Sequence, residues 1–569
     1  LTIPPALLAP TLLAFAALVA SPALADTLID NVNGITVDRA GKVTRFESMV
    51  IDDQGRIVQV LDRRERAPKV EYREDGRGRT VIPGFIDAHA HVMDIGLQAL
   101  SLDLTGSRSL AEVQDKVRAY AAKFPDRPWI VGSGWNQELW GTGRFPTSSE
   151  LDAALADRPV WLSRIDGHAG WANTRALQMA GITAATKDPA GGRIERAAGG
   201  TAPTGVLVDE AQNLMTPFVP PPRPEDYDLA LYEAQQILIK RGVTAAADMG
   251  TSIEEWQSFR RAGDAGTLQV RIMAYGAGIE DTLLIGGPGP TRWLYADKLR
   301  LNGVKLYLDG ALGSRGAWLK TPYADDPKNS GLQIVNGTQL RNQISRAAMD
   351  NFQIAIHAIG DAANAEALDS IEELSGDFTG DRRWRIEHAQ IVDPADIPRF
   401  GQHGIVASMQ PQHQTSDRLM AEARLGPNRL AGAYAWRSIA ATGATLAFGS
   451  DAPVELPDPF AGWAAAVTRE DAGGQPFGGW QPQEAISREA ALAAYTAGAA
   501  YAGFADGKFG ELKVGQRADF LVLDRDPLLV SGPELRDIRV LETWIGGVKV
   551  YDVSPARGTD ERRDPAIGR

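Results

Sequence analysis

Through its middle, the chain repeatedly gathers apolar residues into short runs that end on polar or ionisable side chains. The runs are "VIPGFIDAHAHV", "GVTAAADMGT", "VRIMAYGA", "GVKLYLDGALGS", "QIAIHAIGD", "RWRIEHAQ", "IVASMQPQH" and "TLAFGSDAPV". Near-continuous apolar runs of this length read as strands buried on both faces, as in a parallel sheet. Helix-compatible spacing lies between many of them, as in residues 228–241, "DLALYEAQQILIKR". Eight strand–helix units over roughly 400 residues predict an α/β fold, an elaborated (β/α)8 TIM barrel. The interval from about residue 100 to residue 240 is too long for one crossover and predicts an inserted subdomain, with "PWIVGSGWNQELWG" and the Pro-rich "PFVPPPRPEDY" inside it.

The flanks have a different texture. Residues 26–82 alternate in short strands, "ITVDR", "SMVIDDQGRIVQVL" and "TVIPG", with turn signals at Asp53-Gln54-Gly55 and Arg77-Gly78. Residues 501–569 return to it in "GELKVGQRADFLVLDRDP" and "VLETWIGGVKVYD", before a C-terminal tail. The expectation is a small β-sandwich built from both ends of the mature chain, around a barrel over 83–500. Residues 1–25 read as an export signal: an apolar run from Leu7 to Ala20 precedes Ala23-Leu24-Ala25, an A-x-A cleavage pattern, although the usual basic start is missing. That run is shorter than the roughly 20 residues of a membrane span, so an exported chain, periplasmic or secreted, without a membrane span after signal removal is expected.

Composition narrows the chemistry. Of 569 residues, 59 are Lys or Arg and 72 are Asp or Glu, a formal charge of −13 with no basic patch, which argues against a nucleic-acid partner. There is no cysteine, so disulfides, thiolate metal sites and a Cys nucleophile are excluded. A metal here must be held by nitrogen and oxygen, and the seven histidines can be weighed one by one.

Several strand candidates end in such ligands. His89 and His91 end the first, Lys305 lies in the fourth, His357 ends the fifth, His388 the sixth and Asp451 the eighth. Residues i and i+2 of a strand share a face, so His89 and His91 can converge on one ion. In a parallel barrel all eight C-terminal ends surround one mouth, and four histidines with an aspartate there suit zinc or a similar divalent ion. Taken singly each has a plainer reading: His357 as a hydrogen-bonded core residue, Asp451 as a helix cap. Lys305 sits among apolar neighbours, where an unpaired ammonium is costly. It either pairs with an acid such as Asp309 or loses its charge and captures CO2 as a carbamate.

The motifs "PGFIDAHAHV", "KLYLDGALGSRGAWL", "HAIGD", "RIEHAQ" and "GSDAPV" together resemble the metal-dependent amidohydrolase superfamily, and within it the amidohydrolase-3 branch that includes N-substituted formamide deformylases. The resemblance covers essentially the whole mature chain. It implies two divalent ions, zinc in the first instance. His89, His91 and Asp451 would bind the more buried one, and carbamylated Lys305 would bridge to a second held by His357 and His388. It further implies hydrolysis of a non-peptide C–N bond in a small amide, formamide or N-acyl compound, with a metal-activated hydroxide as nucleophile and Asp451 as catalytic base and acid. Other bond types of the superfamily (deamination, cyclic amides, lactones or esters) and a non-catalytic binding protein are the alternatives. A homo-oligomer is compatible with the sequence.

A second tier of residues concerns substrate. His168, in "LSRIDGHAGWANTRAL", resembles a pocket-forming segment of the branch, with Asn173 nearer to a structural role. His413 follows the seventh strand and is expected to face the mouth. Arg315 either pairs with a substrate carboxylate or braces its loop. Trp135, with Trp140, is assigned to an apolar wall over the site, the competing reading being subdomain core.

Overall fold

All eight apolar runs become strands of one parallel sheet, because each is buried on both faces. In the computed structural model, which describes residues 26–553, they are β1 (Phe85–Ala90), β2 (Val243–Thr251), β3 (Arg271–Ala277), β4 (Leu299–Tyr307), β5 (Gln353–Ala358), β6 (Arg385–His388), β7 (Val406–Met409) and β8 (Thr445–Phe448). Neighbours in sequence are neighbours in the sheet, as a (β/α)8 barrel requires. Helices such as Pro224–Lys240, which begins with Pro at its first turn, pack outside the strands. The expected signal at 1–25 and the tail at 554–569 lie outside the described residues.

Among the described residues no strand ladder joins β8 to β1. The seam is closed instead by the segment just past β8. The Asp451 N–H donates to the His89 carbonyl at 2.7 Å, and the His91 N–H donates to the Ala452 carbonyl at 2.8 Å. Below them the Asp87 carboxylate accepts from the Ser450 N–H at 2.9 Å and from the Ser450 hydroxyl at 2.5 Å. The two chains run so close that a Cβ at Gly449 would lie 2.5 Å from the His89 nitrogen.

Two smaller bodies flank the barrel. Within the interval expected to hold an insertion, strands Leu102–Asp103, Ile130–Trp135, Val160–Arg164, Ala169–Ala172, Gly192–Arg196 and Pro203–Asp209 form one sheet with its own apolar core. Strands from the two ends of the chain meet in another: Thr80–Pro83 pairs antiparallel with Phe520–Leu523, and Ile29, Met49, Phe520 and Trp544 fill the space between this sheet and a four-stranded one.

A buried ion pair fastens that sandwich to the barrel. The Arg271 guanidinium, at the start of β3, meets both oxygens of Asp519 at 2.6 and 2.8 Å, with 1% and 3% of the two side chains exposed. Removing one partner strands the other charge out of water. Asp519→Ala is therefore expected to lower unfolding free energy by about 3–5 kcal/mol, read from the urea midpoint. A shift within error would show that the pair does not hold the two bodies together.

Candidate functional site

The closed seam delivers three of the expected ligands to one point. His89 lies near the end of β1 and His91 just beyond it, and their Nε2 atoms stand 3.3 and 3.2 Å from Asp451 Oδ1. Asp451 has φ +59°, and no helix begins until Pro459, so its carboxylate faces the histidines rather than capping a helix. Burial alone would raise its pKa, but the facing histidines, His89 foremost, hold it well below the usual range.

Beneath Asp451, a chain of buried polar groups sets the orientation of His89. Its Nδ1 is 2.7 Å from Glu387 Oε2. Arg385 grips both Glu387 oxygens at 2.7 and 3.0 Å, and also bonds the Ala88 carbonyl and Tyr275. Burial and then the Lys305 charge push the His89 pKa down to about 4, so the ring is neutral. Its proton sits on Nδ1, facing Glu387, and the Nε2 lone pair is left for the site. Arg385 and Glu387 were not singled out from the sequence, although their i, i+2 spacing in "RIEH" puts them on one face of a strand. The same alternation would send His388 outward. Its φ of +73° breaks the alternation and turns the ring in, 4.6 Å from the rings of both His89 and His357.

Lys305, 1% exposed, has Nζ 3.1 Å from His89 Nε2 and no carboxylate within ion-pair distance among the described residues. Asp309 is not its partner: that carboxylate accepts the N–H groups of Ile359, Gly360 and Trp318 at 3.0, 2.8 and 2.8 Å. Burial pushes the Lys305 amine down to about 8. His357 and His388 are likewise held well below their ordinary value, chiefly by burial, and stay neutral as metal ligands must.

His413 is closer to the centre than a residue facing the mouth need be. It lies on the helix Pro411–Leu425, stacks on His388 at 6.2 Å, and places Nε2 3.6 Å from Asp451 Oδ2. Ligand atoms of His89, His91 and Asp451 lie within 4.8 Å of one another, and so do those of His388, His413 and Asp451. His357 stands outside both groups, with Nε2 3.5 Å from Asp309 Oδ1 and from the Gly310 carbonyl. Asp451 Oδ1 and His413 Nε2 are buried without hydrogen-bond partners. Unpartnered buried polar atoms beside imidazoles and a carboxylate fit a divalent cation.

The substrate-side residues separate. His168, from the insertion, reaches the site: its ring is 5.0 Å from that of His357, and its Nδ1 is 2.7 Å from Asp209. Asn173 caps the helix Thr174–Met179 and ties down its loop. Trp135 does not line a wall over the site. It is 0% exposed, packs at an angle against Trp140 and edge-on against Trp171 in the core of the insertion, and donates its N–H to the Leu162 carbonyl at 2.8 Å. A large apolar ring is more stable filling that core than facing a wet mouth. Arg315 braces its loop through Asp325 at 2.8 Å, which is the second of its two readings.

The amidohydrolase family model matches residues 74–551. The protein LONG AFTER FAR-RED 3 of Arabidopsis thaliana is 36% identical over 491 residues, 83% of this chain and 82% of that one. The N-substituted formamide deformylase of Arthrobacter pascens is 29% identical over 547 residues, 93% of this chain and 98% of that one. Among solved structures, a metal-dependent hydrolase from Pyrococcus horikoshii OT3 superposes with a TM-score of 0.71 at 28% identity, covering 89% of this chain and 99% of that one.

Because Glu387 holds the ring of His89, Glu387→Gln should weaken divalent-metal binding by roughly 10–100-fold. Competition against a chromogenic chelator measures this, and unchanged affinity would remove Glu387 from the site.

Proposed function

This chain belongs to the amidohydrolase family, and from that premise we propose that it hydrolyses a non-peptide C–N bond, in an amide, formamide or N-acyl compound, at a centre of two divalent ions. The ligands are His89, His91, Lys305, His357, His388 and Asp451, with His413 near enough to Asp451 to share in the second position. The observation that carries this reading is Lys305. Lys305 is buried and makes no ion pair among the described residues, and burial pushes its amine down to about 8 against the nearby Glu387 and Asp451, which enlarges the neutral fraction that can add to CO2. The nitrogen forms a bond to carbon and releases a proton, giving an anionic carbamate that would offer oxygen ligands to the ions.

Bound there, the ions would supply a water acidified to near-neutral pKa and an electrophile for the carbonyl oxygen. The chain's own groups do the rest. Asp451, held ionised, accepts the proton of the attacking water and returns it to the departing nitrogen. Glu387 keeps the His89 Nδ1 proton in place, so this ring takes no part in proton transfer. The His168 ring, 5.0 Å from that of His357, is placed to contact a bound substrate. The similarity to a formamide deformylase across nearly the whole chain supports an N-substituted formamide or a close relative as substrate. Zinc suits the nitrogen and oxygen ligand set. The apolar run Leu7–Ala20 with its Ala23-Leu24-Ala25 pattern supports export, and no helix of the described residues is long and apolar enough to cross a membrane.

Metal analysis of active protein should find close to two ions per chain, falling in Lys305→Ala as the bridged ion is lost; active protein without stoichiometric metal refutes the proposal. A panel of formamides, N-acyl amines, cyclic amides and amino-heterocycles, assayed for amine, carboxylate and ammonia, tests the bond type. Amine release from the open-chain amides is expected, and ammonia release alone would point to deamination.

A further inference from the structure

His168 is the side chain that the insertion sends into the site, and one buried residue decides which of its nitrogens is free. Asp209 ends the strand Pro203–Asp209 with φ +49° and ψ −125°, a backbone conformation unfavourable for any residue bearing a Cβ. It holds His168 twice. Its N–H donates to the His168 carbonyl at 3.0 Å, and its Oδ1 lies 2.7 Å from Nδ1. The carboxylate is 1% exposed, and Oδ2 has no hydrogen-bond partner. Oδ2 packs instead on the loop after β4, where a Cβ at Gly310 or Gly316 would come within 2.4 or 2.5 Å of it. That loop also carries the Gly310 carbonyl, 3.5 Å from His357 Nε2.

A bond that served only to hold the insertion together would not call for a strained backbone, an orphaned oxygen and two glycines fitted around it. Such features persist where the surroundings over-determine them, and they cluster at reacting sites. A carboxylate acceptor at Nδ1 keeps a proton on that atom and leaves Nε2 for whatever stands beside His357. We propose that Asp209 is a positioning residue: it fixes the ring plane and tautomer of His168 so that Nε2 is the atom presented to the substrate's amide group. This role rests on the hydrolase reading above.

The test uses the full chain loaded with zinc. Asp209→Asn keeps the shape of the side chain, but its amide N–H can donate to Nδ1 and move the imidazole proton to Nε2. Histidine 15N spectra at pH 8.5, with His168→Gln to assign the resonance, should show the Nδ1–H tautomer in the parent and its loss in Asp209→Asn. On an N-substituted formamide, kcat should fall roughly 10–100-fold with a smaller change in KM. The double variant with His168→Gln should be no worse than His168→Gln alone. Gly316→Ala, which pushes a methyl group against Oδ2, should give an intermediate loss without altering the charge. An unchanged tautomer in Asp209→Asn, or losses that multiply in the double variant, would overturn the proposal. If the parent cleaves no C–N substrate, the hydrolase reading falls, and the tautomer result still decides what Asp209 does to His168.

Discussion

The joint between the first and last barrel strands is the constraint on which the site depends. A sheet closed by a full ladder would occupy the backbone of both strands and leave their side chains in ordinary alternation. Here the joint is made by residues past the end of β8, and Asp451 is bonded through its own N–H to the carbonyl of His89. The backbone that shuts the barrel is thus the backbone that carries the carboxylate to the histidines. Gly449 and the Asp87–Ser450 clasp exist to let those chains approach. The geometry of the ligands and the integrity of the barrel are one problem, with one solution.

Charge in the barrel interior is arranged around that joint. Glu387 and Asp451 are anions on two sides of His89, while Arg385 and Lys305 are the nearby cations. Arg385 is fully committed to Glu387, the Ala88 carbonyl, Ser408 and Tyr275. Lys305 has no such commitment. In a medium where an unpaired charge is expensive, that asymmetry drives the lysine, and not the arginine, toward its neutral form. Burial likewise holds His357 and His388 neutral, whereas His91 is raised, against burial, by its hydrogen bond to Asp451.

The strands were legible because a parallel strand covered on both faces must be apolar throughout, and eight such runs can be counted. His89, His91 and Lys305 were legible from their place in those runs. His388 was found by its position at a strand end, yet what turns it inward is a left-handed backbone that no period announces. Trp135 was misplaced because a tryptophan filling a core and one lining a pocket look alike in one dimension. Only the pairing of strands in the insertion separates them. Asp209 was invisible: its role depends on a glycine loop far along the chain and on a conformation uncommon for aspartate. Arg385 and Glu387 lay in plain view inside a motif, overshadowed by the histidine beside them.

The meeting of the two chain ends in one sheet bears on how the molecule comes into being. The strand Thr80–Pro83 leads directly into β1, and its partner, Phe520–Leu523, lies beyond the last barrel strand in the chain. Until the two strands pair, the edge of Thr80–Pro83 that faces Phe520–Leu523 stays uncovered. Pairings so distant in sequence are slow to form and leave sticky edges waiting. The backbone that leads into His89 and His91 is thus held by a pairing made across nearly the whole barrel, and a change in the far strand reaches the first ligands without touching either of them.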